Sequence, residues 1–457
     1  SKIVVNNIEA DTGVSTVTFN SNVERGTSNL HSVGLEAAGI NVLGADTPIG
    51  SGSTIYDDGG ARFSGIVTAT SFSGDGSSLT GVGASFGNSS INTSGIITAT
   101  AFVPTTGQLS HRNIIVNGDM RIAQRGTSST TSGYYTLDRF ALVFSGTDES
   151  PTQAQADVAS GTTPYTSGFR KSFKITNGNQ TGGAGATDFI WFRYFFEAQD
   201  IANSGWNYTS SSSFITLSFW VKSSVAQTFK GYLRSRDGTE QTYAFETGSL
   251  TADTWTKITK TIPGNSNLTF DNDINQGLQL NILGFMGTDY TDSSVTEDAW
   301  VAYASGTRMK DNTSTWYTTN DATFEITGVQ LEVGSQATPF EHRSFHEERE
   351  LCRRYYHAIV GTMGSWGSAV AYSTQNAQGW YSIHPEMRAA PTFTWTGTLK
   401  LEDGASGKTT TNTTASTTMG THGFSWWCGG FTGLTDNYVY YVYESGQTGY
   451  FQLDAEL

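Results

Sequence analysis

The histidines near residue 350 are the first side chains whose spacing suggests chemistry. His342 and His346 are four residues apart, so on a helix they would share one face as a pair of metal ligands does, and His357 follows. Arg343 stands where the HExxH pattern of metalloproteases requires glutamate. We therefore predict no metal site and interpret these histidines as residues near a helix start or an interface.

Acidic side chains are the second candidates, because carboxylates hold cations and form the catalytic pair of glycosidases. Four of them lie in segments rich in turn residues: Asp271, Asp273, Asp289 and Asp292. Their spacing is not that of an EF-hand loop. We interpret them as solvated turn residues.

Nucleophiles and phosphate-binding loops follow no recognised pattern. The sequence contains no GxSxG motif, no cysteine in a histidine-containing signature and no glycine-rich phosphate loop between a strand and a helix. Cys352 and Cys428 are far apart and lack a CxxC spacing, which predicts neither a disulfide framework nor a zinc site and favours a reducing assembly compartment. We predict no catalytic residues, no cofactor and no enzymatic activity.

Aromatic side chains remain as binding chemistry. Trp and Tyr rings stack on the apolar faces of sugars, and their NH and OH groups bind hydroxyls, with little loss of rotamer freedom. The candidates for receptor contact are Trp366, Trp380, Tyr381, Trp395, Trp426, Trp427 and Tyr438. Core packing is the alternative for any single ring. In the segment 437–443 both alternating sets contain Tyr, so at least one large aromatic should be partly exposed.

Length and composition limit the classes of protein to which this chain can belong. A chain of 457 residues is expected to form two or three packed units. Only 15% of its residues are charged, and its 52 Gly and many aromatics favour strands and turns over helices. The net charge of −15 argues against nucleic-acid binding. We expect neither a cleaved signal peptide nor membrane insertion, because the apolar run at the start is short and no run of about 18 apolar residues occurs.

The first 110 residues contain a repeat and no Trp. The string SGIVTATSF at 64–72 returns as SGIITATAF at 94–102, with seven identical positions. Such periodic self-similarity is typical of stacked or fibrous structures, in which each unit buries its apolar face against neighbours. Because one copy has few large side chains, we expect self-association to supply the missing burial.

The middle of the chain is predicted to form a β-sandwich. Apolar runs separated by turn residues predict strands at 189–196, 214–221, 256–262, 278–285 and 322–331. After them, Phe345, Cys352, Tyr355 and Ile359 have the spacing of a short helical stripe. That helix would pack either on its own sandwich or in a three-chain bundle, a choice that fewer than three heptads leave open. The remaining residues return to β signals.

Motifs in a consistent order along the chain resemble those of tail-fibre proteins of tailed bacteriophages, notably phages of marine cyanobacteria. The repeat with its continuation, SGIVTATSFSGDGSSLTGV, is the first. NGDMRIAQRG at 117–126 and ITGVQLEVGSQATPFEHRS at 326–344 open and close a segment that is similar to jelly-roll modules of carbohydrate-binding type. LCRRYY at 351–356 and PEMRAAPTF at 385–393 resemble the linking helix and a motif near the end of such fibres.

The resemblance completes the predicted fold class, which is mainly β. We expect a fibrous β stalk with repeats over residues 1–110, a jelly-roll β-sandwich over 111–343, a linking helix over 344–359 and a small β-sandwich tip over 360–457. Related carbohydrate-binding modules usually hold a structural calcium with acidic residues, where this chain has Arg121, Thr327 and Gly328. That departure removes the expectation of a metal there.

The resemblance also implies a role in a virion. It predicts a homotrimeric tail fibre, assembled in the host cytoplasm, whose N-terminal region attaches to a tail, baseplate or adaptor protein. Its β domains would bind a surface glycan or an outer-membrane receptor of the host. The alternatives are a tailspike-like enzyme that depolymerises polysaccharide, and a fibre or adaptor with a purely structural role.

Overall fold

The computed structural model describes residues 110–360, 367–405, 407–409, 416–444 and 450–457, together with four short strands nearer the N-terminus. The chain divides into two compact units, Ser1–Thr98 and Ala99–Leu457. In the first, β1 (Glu24–Arg25) pairs with β2 (Ser28–Asn29) and β3 (Ser53–Ile55) with β4 (Ala61–Phe63), both antiparallel. Both copies of the predicted repeat, and with them the stalk prediction, lie outside the described residues.

Two antiparallel sheets of six strands form the central sandwich. The first sheet has the order β13 (Thr256–Pro263), β10 (Phe214–Ser223), β16 (Thr323–Val333), β8 (Lys171–Thr176), β7 (Thr152–Asp157), β5 (Ser128–Ser129). The second has the order β15 (Trp300–Ala302), β12 (Gln241–Ser249), β11 (Thr228–Ser235), β14 (Gln276–Met286), β9 (Phe189–Glu197), β6 (Phe140–Ser145). All five apolar runs identified in the sequence are strands here, which confirms the mainly β prediction.

The core of the sandwich lies between the two sheets. In β10 the apolar side chains alternate with polar ones, so Leu217 and Phe219 are fully buried while Trp220 faces outward. From the second sheet, Phe140 stacks on Phe192 with ring centroids 4.8 Å apart. Aromatic pairs of this kind add to the stabilisation that burial alone provides.

The outer face of the second sheet has a smaller core of its own. Trp191 and Tyr232 point away from the main core and are buried under Val295 and Met309, which belong to the segment that follows β14. The chain itself therefore covers these rings, and they do not form an open surface. The remaining helices of this region are the short α1 (Thr163–Thr166), α2 (Ala198–Ala202) and α3 (Thr315–Thr318).

The linking helix is shorter than its sequence pattern predicts. Helix α4 (Phe345–Arg353) begins where the Ser344 hydroxyl accepts a hydrogen bond from the backbone N–H of Glu347 at 3.1 Å. It packs on its own sandwich, burying Glu348 and Cys352, whereas Phe345 is 55% exposed and lies off the predicted stripe. Residues beyond the helix end form a strand instead, because their backbone groups pair with the last strand of the chain.

The tip is a second, smaller sandwich. Among the described residues, one sheet has the order β17 (Tyr356–Val360), β26 (Tyr450–Asp454), β20 (Thr392–Thr396). The other has the order β22 (Gly407–Thr409), β21 (Leu399–Glu402), β25 (Val439–Glu444), β18 (Ser368–Ala371), β19 (Ala377–Ser382), β24 (Gly423–Cys428), β23 (Ser416–Met419). Phe424 and Trp426 from the second sheet and Phe451 from the first share one core. Since β17 belongs to this sandwich, the tip begins at Tyr356.

Buried charges join the tip to the central sandwich. Glu456, directly after β26, forms salt bridges with Arg125 at 3.4 Å and with Arg139. Both arginines come from the start of the central sandwich, and the Arg139 side chain is fully buried. Its guanidinium lies 3.4 Å from the centre of the Tyr355 ring. The carboxylate of one domain thus compensates two cations of the other.

Replacing Glu456 by Gln keeps the shape of the side chain and removes the negative charge. Because the fully buried Arg139 then loses its ion-pair partner, whereas Arg125 keeps Asp138 and Asp454, we expect the free energy of unfolding to fall by about 3–5 kcal/mol. The control is Glu402→Gln, which breaks a half-exposed pair with Lys400 and should change stability by less than about 1 kcal/mol. Denaturant unfolding followed by tryptophan fluorescence measures the stability of both variants. Equal losses of stability would contradict the role of Glu456 as a buried counter-charge.

Candidate binding surface on the tip

Three of the candidate rings are exposed on the tip. Trp380 is 61% exposed, Trp427 45% and Tyr438 48%. Trp380 and Trp427 lie within strands β19 and β24, whereas Tyr438 precedes β25 and packs edge-on against Tyr440 with centroids 5.3 Å apart. Two of the exposed candidates therefore lie within strands of the sheet, and the third lies just before a strand.

The other candidate rings lie elsewhere. Trp426 is buried in the tip core, because it is the inward neighbour of Trp427 on the same strand. Tyr381 and Trp395 are half-buried, and their rings pack on Phe424 at 5.6 Å and on Phe451 at 4.6 Å. Trp366 lies outside the described residues.

Strand register brings the exposed rings onto one face of the seven-stranded sheet. Trp380 stands opposite Ser425, and Trp427 stands opposite Gln378, so the two tryptophans are diagonal neighbours on adjacent strands. Diagonal neighbours on one face lie about 7–8 Å apart at their α carbons, within reach of each other's long side chains. Two indoles thus share one continuous surface.

Three further side chains extend this surface across the sheet. Val370 on β18 pairs with Val439 on β25, and Tyr441 follows on the same face of β25. Val370 is 39% exposed, Val439 57% and Tyr441 58%. We call these three, together with the two tryptophans, the aromatic face. Tyr441 is the exposed ring that the alternation in 437–443 predicts, and that expectation is confirmed.

The orientation of Trp380 is set by its neighbours. A side chain at Gly423 would come within 2.7 Å of Trp380 Cζ2, so the indole lies across the bare glycine backbone of the next strand. The indole N–H donates to the Ser382 hydroxyl at 3.3 Å. These contacts hold the indole against the next strand, while most of the side chain remains exposed to solvent.

The aromatic face is electrically neutral. Its polar neighbours in register are Ser368, Gln378 and Ser425, which donate and accept hydrogen bonds without carrying charge. The nearest charged side chains lie on the adjacent strand β21, where Glu402 stands opposite Tyr441 and pairs with Lys400. Such a surface offers stacking and hydroxyl recognition, with one compensated ion pair at its edge.

Two of the four aspartates singled out in the sequence cap their own turns. Asp273 accepts a hydrogen bond from the backbone N–H of Asn275 at 3.0 Å, and Asp292 accepts one from Ser294 at 2.8 Å. Asp271 and Asp289 are exposed loop residues. Hydrogen bonds to Ser294 lower the pKa of Asp292, as expected for an ionised turn cap.

The histidines are placed in different environments. His342 packs its ring on Phe169 at 5.2 Å, His346 is exposed on α4, and His357 is buried within β17. Within the described part of the chain, no cluster of three or more His, Cys, Asp or Glu side chains has the geometry of a metal site. Both cysteines are buried, and neither forms a disulfide within the described part of the chain.

Arg121 and Thr327, two of the residues for which the sequence removed the expectation of a metal, form other interactions. Arg121 forms a salt bridge with Asp119 at 2.5 Å and donates to the carbonyl of Arg343 at 2.8 Å. Thr327 donates its hydroxyl to the Lys171 carbonyl at 2.7 Å. A guanidinium here neutralises the nearby carboxylate and ties two segments together.

No protein-family model matches this chain, and no curated protein is similar to it in sequence. Among solved structures, it is similar to the N-terminal cellulose-binding domain of Cellulomonas fimi β-1,4-glucanase C, with 10% identity, 48% of this chain and 99% of that chain covered, and a TM-score of 0.23. A xylan-binding domain from Paenibacillus barcinonensis matches with 11% identity, 51% and 100% coverage, and a TM-score of 0.25.

A third similar structure is the enzymatically active domain of tailspike protein 4 from bacteriophage CBA120. The identity is 10%, the match covers 49% of this chain and the TM-score is 0.25. This chain spans 21% of the length of that structure. At these values the likenesses assign neither a ligand nor an activity to this chain. Among the described residues, no helix is both long and apolar enough to cross a membrane.

His357 should make the tip sensitive to acid. Burial and the positive charges of Arg353 and Arg349 lower the pKa of His357 to about 4. The unfolded chain takes up this proton near pH 6.5, so stability is fully present above that pH and is lost as the pH falls towards 4. Between pH 7 and pH 5 the wild type should lose about 2 kcal/mol more than His357→Gln. Urea unfolding at both pH values measures this difference, and parallel curves would refute it.

Proposed function

We propose that this chain is a tail-fibre protein of a tailed bacteriophage, and that the aromatic face of its tip binds a glycan on the host surface. The observation that carries the proposal is the exposure of Trp380, Trp427 and Tyr441 on one sheet face. Contiguous exposed apolar side chains of this kind mark sites of interaction.

The chemistry of the aromatic face suits carbohydrate. A pyranose ring has an apolar side that stacks on an indole and hydroxyls that bind amides and other hydroxyls. Trp380 is already held against Gly423 and Ser382, so stacking does not require the ring to be ordered first. Gln378 and Ser425 stand beside the two tryptophans in register and supply donors and acceptors.

The fibre part of the proposal is supported by the sequence of the first 110 residues. The repeat at 64–72 and 94–102 has too few large side chains to form a core alone, and three copies would supply the missing burial. A homotrimer would also present three tips, whose weak sites add through effective concentration. In this proposal the N-terminal region attaches the fibre to the tail of the virion.

Removing the exposed indoles should weaken attachment. Because buried aromatic anchors often contribute more than 1 kcal/mol each to binding, we expect Trp380→Ala with Trp427→Ala to reduce adsorption to host cells at least about tenfold. The matched control is Tyr135→Ala, which removes a ring that is 47% exposed on the central sandwich. Unchanged adsorption by the double variant, with the tip folded by circular dichroism, would favour a structural spacer.

We further propose that the protein binds polysaccharide without cutting it. The aspartates at 271, 273, 289 and 292 serve turns or solvent, which supports binding over hydrolysis. Incubating the full chain with purified host polysaccharide should release no new reducing ends and no unsaturated sugars. Release of either product would establish the depolymerase alternative.

A further inference from the structure

A second surface with binding character lies on the central sandwich, away from the tip. A groove of about 480 Å³ opens on the outer face of the first sheet. Its floor includes Ser218 and Trp220 of β10 and Lys257 of β13, and the segment 337–342 forms a wall. Binding sites for small ligands fall in the range of about 300–1,000 Å³.

A bulge in β16 shapes this groove. The pairing of β10 with β16 shifts between Ser218 and Trp220, and Gly328 in β16 has a φ of +63°. A side chain at Gly328 would come within 2.6 Å of the Phe169 ring, so only glycine allows this ring to pack there. The bulge thus creates the concavity and fixes the first ring of its wall.

Three rings in mutual contact complete the wall. The centroids of Phe169 and Phe340 are 4.9 Å apart, and the His342 ring lies 5.2 Å from the first and 4.9 Å from the second. The Nε2 atom of His342 is 3.0 Å from the carbonyl oxygen of Ser167. These contacts hold the wall in place, so the groove does not depend on a ligand for its form.

The groove contains a positively charged side chain, whereas the net charge of the chain is negative. Lys257 stands directly opposite Trp220 in register, is exposed, and has no ion-pair partner among the described residues. No aspartate or glutamate lines the groove. In a chain with a net charge of −15, a groove with a free ammonium and no carboxylate is suited to a negatively charged ligand.

We propose that this groove binds a saccharide that carries a carboxylate, such as a uronic acid residue. The indole of Trp220 offers a face for the sugar ring, and the ammonium of Lys257 pairs with the carboxylate. A single lysine without an arginine fork favours a singly charged carboxylate over phosphate, which proteins often bind with bidentate arginine. The site is separate from the aromatic face, which binds uncharged sugar.

Calorimetric titration of the full chain with uronic acid disaccharides tests the proposal. The probes are the disaccharides of galacturonic, glucuronic and mannuronic acid and the methyl ester of each, which keeps the rings and removes the charge. We expect at least one acid to bind, its ester to bind at least about tenfold more weakly, and Lys257→Gln to lose a similar factor. Trp220→Ala should weaken acid and ester alike.

The matched control is Lys174→Gln, a lysine of the same sheet that does not line the groove. It should leave binding of the acid unchanged. Equal affinity for acid and ester, an unaffected Lys257→Gln variant, or no binding of any of the three acids would overturn the proposal. The Trp380 and Trp427 double variant should retain this binding, so the result is independent of the tip.

Discussion

The arrangement of the two sandwiches depends on the ion pairs that the Glu456 carboxylate forms. Glu456 lies two residues after the last strand and pairs with Arg139, whose side chain is fully buried in the neighbouring sandwich, and with Arg125, which Asp138 and Asp454 also contact. A buried guanidinium without a counter-charge is strongly destabilising, so the two domains are stable together in this arrangement. Arg354, which pairs with Glu197 at 2.8 Å, adds a second charged link.

That junction gives the aromatic face a fixed support. Strand β26, which ends two residues before Glu456, pairs with β17 and β20, and Phe451 from this strand packs in the core beneath the seven-stranded sheet. The inward set of side chains on that sheet is held by this core, which leaves the outward set as a flat, ordered surface. A binding surface on a rigid sheet loses little entropy when a ligand arrives.

The two proposed sites suit different sugars of a heterogeneous surface polysaccharide. The side chains of the aromatic face are uncharged and the bordering Lys400 and Glu402 pair with each other, whereas the groove on the central sandwich has an ammonium without an ion-pair partner among the described residues and no carboxylate in its lining. Both use a ring held against a strand: Trp380 over Gly423 in the tip, and Phe169 over Gly328 in the sandwich. In each case the absence of a side chain on glycine lets the ring lie close to the backbone.

The sequence by itself determined the mainly β class, the strand runs such as 214–221 and the exposure of a ring in 437–443, because alternation along a strand depends only on local order. It predicted helix beyond Arg353, where tertiary pairing with β26 produces a strand. Only the tertiary structure decided that Trp427 is outside and Trp426 inside, since the register against β19 and the position of the core select which alternate set is buried. The groove at Trp220 and the partners of Glu456 likewise join residues far apart in the chain, which local pattern does not reveal.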